Sequence, residues 1–261
     1  MSQDYETIRL ETDTHGIARL MLNRPAKHNA LNSTMIRDLT NAATKISGDS
    51  HVRAVVLSAH GKSFCAGGDL AWMQEQFDAD RAARVAEATR LATMLRLLDE
   101  LPKLLIAVVE GPAFGGGVGL ISVCDIVLAA RGATFALTET KLGLIPATIA
   151  PFLIHRIGLA NARRFALNAS SFGTDEAKAM GLVSEIHSPL EIAAATERHI
   201  KMVLACAPGA IADAKQLFRR VAAGVAAPTE SIEALAGRWE SEEARRGVET
   251  FFLQKRPPWA Q

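Results

Sequence analysis

Two segments of this chain carry residue types suited to holding negative charge on an oxygen atom. They are Ser63-Phe64-Cys65-Ala66-Gly67-Gly68-Asp69-Leu70 and Gly111-Pro112-Ala113-Phe114-Gly115-Gly116-Gly117-Val118-Gly119. Each follows an apolar run of strand type, Ala54-Val55-Val56-Leu57 before the first and Leu104–Val109 before the second. Glycine reaches backbone conformations that other residues resist, so such loops can present unpaired N–H groups. The second loop also leads into a helix-like run, Leu120-Ile121-Ser122-Val123, and a helix start favours incoming negative charge. Either loop alone reads as a tight turn. Two of them, each closing a similar strand, can aim two N–H donors at one carbonyl oxygen, which is the chemistry of an oxyanion hole.

Other glycine motifs fail on spacing. Gly61-Lys62-Ser63 ends like a phosphate-binding loop, but the required earlier glycine is Val56. Gly115 and Gly117 begin a dinucleotide fingerprint whose third glycine would be Leu120. No nicotinamide or flavin cofactor is expected.

An oxyanion hole needs a partner that moves a proton. Glu139, in Phe135-Ala136-Leu137-Thr138-Glu139-Thr140-Lys141, follows a short extended segment among apolar residues, where desolvation raises a carboxyl pKa toward a useful range. Pairing with Lys141 or capping a helix is the competing role. Nucleophiles are poorer candidates. No serine sits in a Gly-x-Ser-x-Gly elbow, and Ser122 reads as a helix serine bonding its own backbone. Cys65 adjoins the first loop without a histidine beside it and reads as a small buried hydrophobe. Asp69 and Asp125 read as caps rather than acids. The seven histidines form no metal-ligand pattern, so no metal is expected.

These residues need elements to hold them. Residues 6–12 and Ile17–Leu22 flank the turn-forming Asp13-Thr14-His15-Gly16 and predict a hairpin. Asn32 or Ser33 caps a helix with Met35, Ile36, Leu39, Ala42, Ala43 and Ile46 on one face. A strand at 53–58, a helix at 81–98 ending before Pro102, and a strand at Leu104–Val109 follow. The pattern then repeats: a helix from about Gly116, a strand at 125–129, an extended piece at Thr134–Ala136, and helices from Ile149 to Leu167. Strand pairs followed by helices predict stacked α/β turns rather than one open sheet. Beyond Leu190 the chain reads as helical, punctuated by Pro208 and Pro228. The division expected is residues 1–190 as a core with the active site and 191–261 as a helical region.

The 261 residues, 49% hydrophobic, suffice for one sizeable core. Lysine and arginine number 29 against 28 aspartates and glutamates, so no global field draws nucleic acid or an anionic membrane. Three widely spaced cysteines suit a reducing compartment, and the acidic opening residues 1–6 lack a signal core. No apolar run spans a bilayer. A cytoplasmic protein is expected.

The residues resemble those of the crotonase, or enoyl-CoA hydratase/isomerase, superfamily over nearly the whole chain. The likeness rests on Asn23-Arg24-Pro25 with Asn29-Ala30-Leu31, the 63–70 and 111–119 loops, Cys124-Asp125, Ala177-Lys178-Ala179-Met180-Gly181-Leu182-Val183, and the tail Phe252-Leu253-Gln254-Lys255-Arg256. The resemblance implies an α/β spiral of ββα turns with a C-terminal helical trimerisation region, assembled as a homotrimer or dimer of trimers. It implies an acyl-CoA thioester whose oxygen is held by the N–H groups of Ala66 and Gly116, with coenzyme A entering only as part of the substrate. Ala66, Gly67, Gly68, Asp69 and Leu70 then border the CoA moiety and Lys27 reaches its phosphates. Phe252 and Lys255 match positions that approach CoA from a neighbouring subunit.

One departure matters. Relatives that hydrate with two glutamates carry the first at the position of Gly119, whereas the second matches Glu139. A lone carboxylate is compatible with hydration, double-bond isomerisation or protonation after decarboxylation; thioester hydrolysis and non-catalytic acyl-CoA binding also stand. The stretch Pro146-Ala147-Thr148-Ile149-Ala150-Pro151 resembles that of the 3-methylglutaconyl- and isohexenylglutaconyl-CoA hydratases, so hydration of a β-branched enoyl-CoA of leucine or terpene breakdown is expected. A distal substrate carboxylate would want a cation, for which Lys141, His155 and Arg156 are candidates. Trp72, Met73 and Phe77 are expected to shape the acyl pocket or to pack beneath a loop.

Overall fold

The computed structural model describes residues 3–260; Met1 and Ser2, part of the segment read above for a leader, and Gln261 lie outside them. In chain order the strands are β1 (Gln3–Asp4), β2 (Ile8–Thr12), β3 (Ile17–Leu22), β4 (Ala54–Ala59), β5 (Leu104–Val109), β6 (Ala113–Phe114), β7 (Ile126–Ala130), β8 (Thr134–Ala136), β9 (Phe172–Gly173) and β10 (Glu185–His187). The helices are α1 (Ser33–Gly48), α2 (Leu70–Asp78), α3 (Arg81–Asp99), α4 (Gly116–Ser122), α5 (Ala150–Asn168), α6 (Thr174–Ala179), α7 (Ile192–Leu204), α8 (Pro208–Ala222), α9 (Pro228–Trp239) and α10 (Glu242–Phe252).

The large sheet runs β1-β2-β3-β4-β5-β7-β10, with the predicted β2–β3 hairpin antiparallel and the pairs from β3 to β10 parallel. Parallel strands covered on both faces read as continuous apolar runs, which is how β4, β5 and β7 appear in the sequence. One face buries the apolar stripes of α1, α3 and α5 against β3, β4 and β5, with Met35, Leu39, Met94 and Leu95 fully enclosed. The other face packs Ile17, Val56, Ile106 and Leu128 against Ile192, Ala195, Ile200 and Val203 of α7. Caps fall where short polar side chains precede the helices. Asn32 Oδ1 accepts from Met35 N at 2.9 Å, and Asp80 Oδ1 accepts from Ala83 N at 2.8 Å.

A second sheet, β6-β8-β9, is only three strands of two or three residues each, and it carries the site. β6 and β8 pair in parallel with Ala113 opposite Phe135 and Phe114 opposite Ala136. The Gly115 amide extends the ladder by donating to the Ala136 carbonyl at 2.9 Å. Cys65 bridges to Ala113 on the far side of β6, with Phe114 N donating to Cys65 O at 2.9 Å. Three chain segments therefore end together: residue 66 from one loop, 116 from the next, and 139 three residues past the end of β8.

The last three helices behave differently. None of α8, α9 or α10 contains a fully buried residue, and Phe218, Ile232, Leu235, Trp239, Phe251 and Phe252 are exposed. Among the described residues, no helix is long and apolar enough to cross a membrane.

Candidate active site

The hole is built first by conformation. Gly115 adopts φ +47° and ψ −114°, a region closed to side chains, and turns the chain sharply from β6 into α4. That turn leaves Gly116 as the first helical residue. Its N–H finds no acceptor among the described residues, as expected for an orphan donor at a helix start. On the other loop, Gly67 has φ +92°, and a Cβ placed on it would stand 3.8 Å from Gly116 N. Ala66 and Gly116 are both partly exposed although the residues on either side of Gly116, and Cys65 and Gly67 beside Ala66, are buried. The two loops therefore open together onto solvent at these two residues.

The Ala66 amide is not idle. It donates to the His28 carbonyl at 3.0 Å, so only the Gly116 amide of the expected pair is wholly unused. Around it, Leu31 N donates to Gly67 O at 2.7 Å and Asp69 N to Leu31 O at 2.8 Å, stitching residues 28–31 along the loop.

The Asp69 carboxylate fixes this loop. Its Oδ1 caps α2, accepting from Ala71 N at 2.9 Å, and its Oδ2 accepts from Arg24 at 3.0 Å. Burial works against its charge, and the Arg24 bond and the two capping amides outweigh that, holding its pKa below the usual carboxylate range. Leu70 is exposed, as is Lys27 in the 3-10 turn Pro25–Lys27. Phe252 and Lys255 are exposed at the end of the chain and do not line this chain's own cavity.

Glu139 begins a 3-10 turn after β8. Its Oε1 lies 2.9 Å from where a Cβ on Gly115 would stand, so the carboxylate rests directly against the glycine that precedes the free amide. Its Oε2 is buried with no hydrogen-bond partner. Burial pushes the Glu139 pKa up and outweighs the opposing hydrogen bond from its own backbone amide. The bond to Lys141 that formed the competing reading is absent. A carboxyl with a raised pKa, held in a cavity beside an unused amide, has the features that general acid/base chemistry requires.

Glu139 and Gly116 line a cavity of about 480 Å³. Trp72, Met73 and Phe77, the residues expected to shape an acyl pocket or pack beneath a loop, lie on its wall, carried by helix α2. The segment from Leu144 to Ile149 forms another wall. Sequence reasoning missed Arg84 and Glu87 on α3, which were hidden in a helix legible only by its apolar face.

Three expectations change. Arg156 is not available to a substrate: its guanidinium donates to the carbonyls of Cys124, Gly181 (2.9 Å) and Leu182 (3.3 Å), and burial lowers its pKa. Lys141 and His155 are exposed and line no part of the cavity; Arg84 is the cation on its wall. Asp125 is not a helix cap but a brace, accepting from Leu105 N and Lys215 Nζ, each at 2.7 Å.

The nucleophile alternatives fare as the sequence suggests. The Cys65 thiol is fully buried and burial pushes its pKa up to about 12; Cys124 is the same. Ser122 Oγ donates to Val118 O at 2.8 Å. Among the described residues no cluster of His, Cys, Asp and Glu could hold a metal ion.

Comparison with known proteins agrees with this fold. The sequence profile described as enoyl-CoA hydratase/isomerase matches residues 12–261. An enoyl-CoA hydratase of Alternaria alternata is 37% identical over 80% of this chain and 68% of its own length. The 2,3-dehydroadipyl-CoA hydratase of Escherichia coli is 33% identical over 92% of each chain. The crystal structure of an enoyl-CoA hydratase from Shewanella pealeana superposes with a TM-score of 0.94 at 33% identity, covering 98% of this chain and 97% of the other. With the fold, the converging loops and the profile in agreement, this chain belongs to the enoyl-CoA hydratase/isomerase family.

Proposed function

We propose that this protein adds water across the double bond of a 2-enoyl-CoA thioester, using Glu139 as its acid/base and the amides of Ala66 and Gly116 as its oxyanion hole. The observation that carries the reading is the Glu139 carboxyl, its Oε2 buried without a hydrogen-bond partner and its Oε1 resting against Gly115, next to the unused Gly116 N–H. The thioester oxygen takes the Gly116 N–H outright and shares the Ala66 N–H with the His28 carbonyl, a three-centre arrangement.

In the forward step the water oxygen bonds to the β-carbon while its proton passes to the Glu139 carboxylate. The double-bond electrons move to the thioester oxygen, and the enolate forms against the hole. Collapse of the enolate returns the proton from Glu139 to the α-carbon. Losing one hole donor typically costs about 3–4 kcal/mol of transition-state stabilisation. A raised Glu139 pKa serves both halves, since the group must accept a proton and then release it.

The finer substrate reading is a β-branched acyl chain of the 3-methylglutaconyl or isohexenylglutaconyl type. It is supported by the 146–151 segment on the cavity wall and by Arg84, the cation there that can face a distal carboxylate. Lys27 and the 66–70 loop take the CoA phosphates and pantetheine arm, and Phe252 and Lys255 reach the site of a neighbouring copy. A homotrimer, or a dimer of trimers, covers the apolar side chains of α8 to α10; light scattering at micromolar concentration tests it. The unpaired Cys65, Cys124 and Cys206 suit a cytoplasmic setting.

The test is to mix the protein with crotonyl-CoA and 3-methylglutaconyl-CoA and follow loss of enoyl-thioester absorbance. A second reading, isomerisation, is favoured by the glycine at position 119, because moving a double bond needs one carboxylate and no water. Turnover of a 3-enoyl-CoA with neither hydration substrate consumed selects it.

A further inference from the structure

The cavity lined by Glu139 and Gly116 has a neighbour. Ala88, Ala147 and Thr148 line it and also line a second, more open cavity of about 550 Å³, so the two meet at these residues. Ala88 and Ala147 are exposed, and a methyl group is all that either places at the junction. Glu139, Gly116 and Arg84 line the inner cavity alone.

The outer cavity is a groove between two helices. One wall is Val85, Ala88, Thr89 and Ala92 of α3, and the other includes Pro151 and Phe152 of α5. Helix α3 packs on the core through Leu91, Met94, Leu95 and Leu98. Residues 85, 88, 89 and 92 repeat at helical spacing outside that stripe and form a second, uncharged one, exposed at Val85 and Ala88. The Thr89 hydroxyl donates to the Val85 carbonyl at 2.7 Å, so it asks for no partner in the groove. The lining becomes charged only at Arg96, which is paired with Glu100 at 2.6 Å. With a rise of about 1.5 Å per residue, the stretch from Ala88 to Arg96 is about 12 Å long, room for about eight carbons joined by bonds of about 1.5 Å.

An exposed apolar stripe on a surface helix marks a binding surface. This one is continuous with the cavity that receives a thioester, and the part of such a substrate that carries no polar group is its acyl tail. The cation beside the junction, Arg84, stands one turn before Ala88 on α3 and lines only the inner cavity. A charged group and an apolar tail on one acyl chain therefore meet separate stretches of the same helix.

We propose that the groove between α3 and the start of α5 receives the apolar tail of an acyl chain too long for the inner cavity, the tail leaving between Ala88 and Ala147. This inference rests on the enoyl-CoA reading of the inner cavity and extends its substrate class to long-tailed esters.

The experiment uses the full chain with Ala92→Leu, which fills the groove, and Val85→Lys, which sets a charge in it at an exposed position; neither residue lines the inner cavity. Hydration of trans-2-dodecenoyl-CoA is compared with that of crotonyl-CoA and 3-methylglutaconyl-CoA, and the molar mass is followed by light scattering. The parent should hydrate the dodecenoyl ester with a kcat/KM no lower than that of the better short ester. In both variants that ratio should fall ~10–100-fold, the worth of two or three methylenes returned to water. A parent that hydrates a short ester but not the dodecenoyl one overturns the groove while hydration stands. Variants whose ratio stays within about twofold of the parent's overturn it too, since less than one methylene would then be lost. An unchanged ratio with a smaller assembly overturns it in favour of a second copy of this chain on the same face. A parent that hydrates none of the three esters overturns the enoyl-CoA hydratase reading, and the groove with it. Val85→Lys decides the outcome if Ala92→Leu does not fold.

Discussion

The Ile149 side chain fills the space beside Gly119: a Cβ on Gly119 would stand 2.4 Å from Ile149 Cγ2 and 3.1 Å from Ile149 Cβ. Ile149 is itself buried and lines the cavity. The absence of a carboxylate at position 119 is therefore a packed state rather than a gap. Gly119→Glu alone is expected to destabilise the fold by about 1–3 kcal/mol through overpacking, read by urea unfolding, with no gain in hydration. Gly119→Glu combined with Ile149→Ala should recover part of that loss and raise kcat for crotonyl-CoA. A double variant as unstable as the single one would mean that Ile149 is not what closes the position.

Much of this site was legible because its determinants are local. Glycine clusters after apolar strands mark the two loops, and the three residues from Leu137 to Glu139 follow directly from β8. What could not be read is set by contacts distant in sequence. Arg156 looked like a free cation until its carbonyl partners from residues 124, 181 and 182 were in place. Glu87 reads as a solvated position on α3, and only the meeting of α3 with Ser33 and the cavity makes it a buried acceptor. Helix α2 was obscured by its low apolar regularity; its start is fixed by the Asp69 cap, which is held in turn by Arg24.

Gly115→Ala tests how tightly the hole and the acid/base are coupled. The φ of +47° with ψ −114° lies outside even the left-handed helical region, so alanine there is strained by about 1–3 kcal/mol. The new methyl would also stand 2.9 Å from Glu139 Oε1, displacing the carboxylate. Misplacement by about 1 Å can cost 100-fold in rate, so kcat should fall by about two orders of magnitude. Binding of butyryl-CoA, followed calorimetrically, should change far less. Equal losses in kcat and affinity would show that the methyl collapses the whole loop.

Glu139→Gln removes the proposed proton carrier and keeps its shape. Turnover should fall about 100- to 10,000-fold with acyl-CoA affinity retained. The pH dependence follows from the sign of the shift. Burial raises the folded-state pKa above that of the unfolded chain, so between those two values the folded protein binds more protons, and its stability falls as pH rises through that window. Above the window the buried charge is a standing penalty, and Glu139→Gln should melt at a higher temperature than the parent at neutral pH and lose that advantage in acid. In the parent, kcat/KM should rise with pH through a pKa above the ordinary glutamate range. A midpoint at the ordinary value would show that the carboxylate is solvated in solution.

Arg84 and Arg156 separate recognition from construction. Arg156 satisfies three backbone carbonyls, two of them through part-buried bonds, and Arg156→Met removes all three, which should cost about 3 kcal/mol or more in stability. Arg84 is exposed and holds itself over α2 by donating to Gln76 O at 2.6 Å and Phe77 O at 2.9 Å, with Nη1 left for a ligand. Arg84→Met should therefore cost little stability but lower kcat/KM for 3-methylglutaconyl-CoA relative to crotonyl-CoA by about tenfold or more, the worth of one charged hydrogen bond. Arg156→Met should leave that ratio unchanged however unstable it is. If Arg84→Met leaves the ratio unchanged, no distal carboxylate is read at this wall, and the glutaconyl assignment falls while hydration itself is untouched.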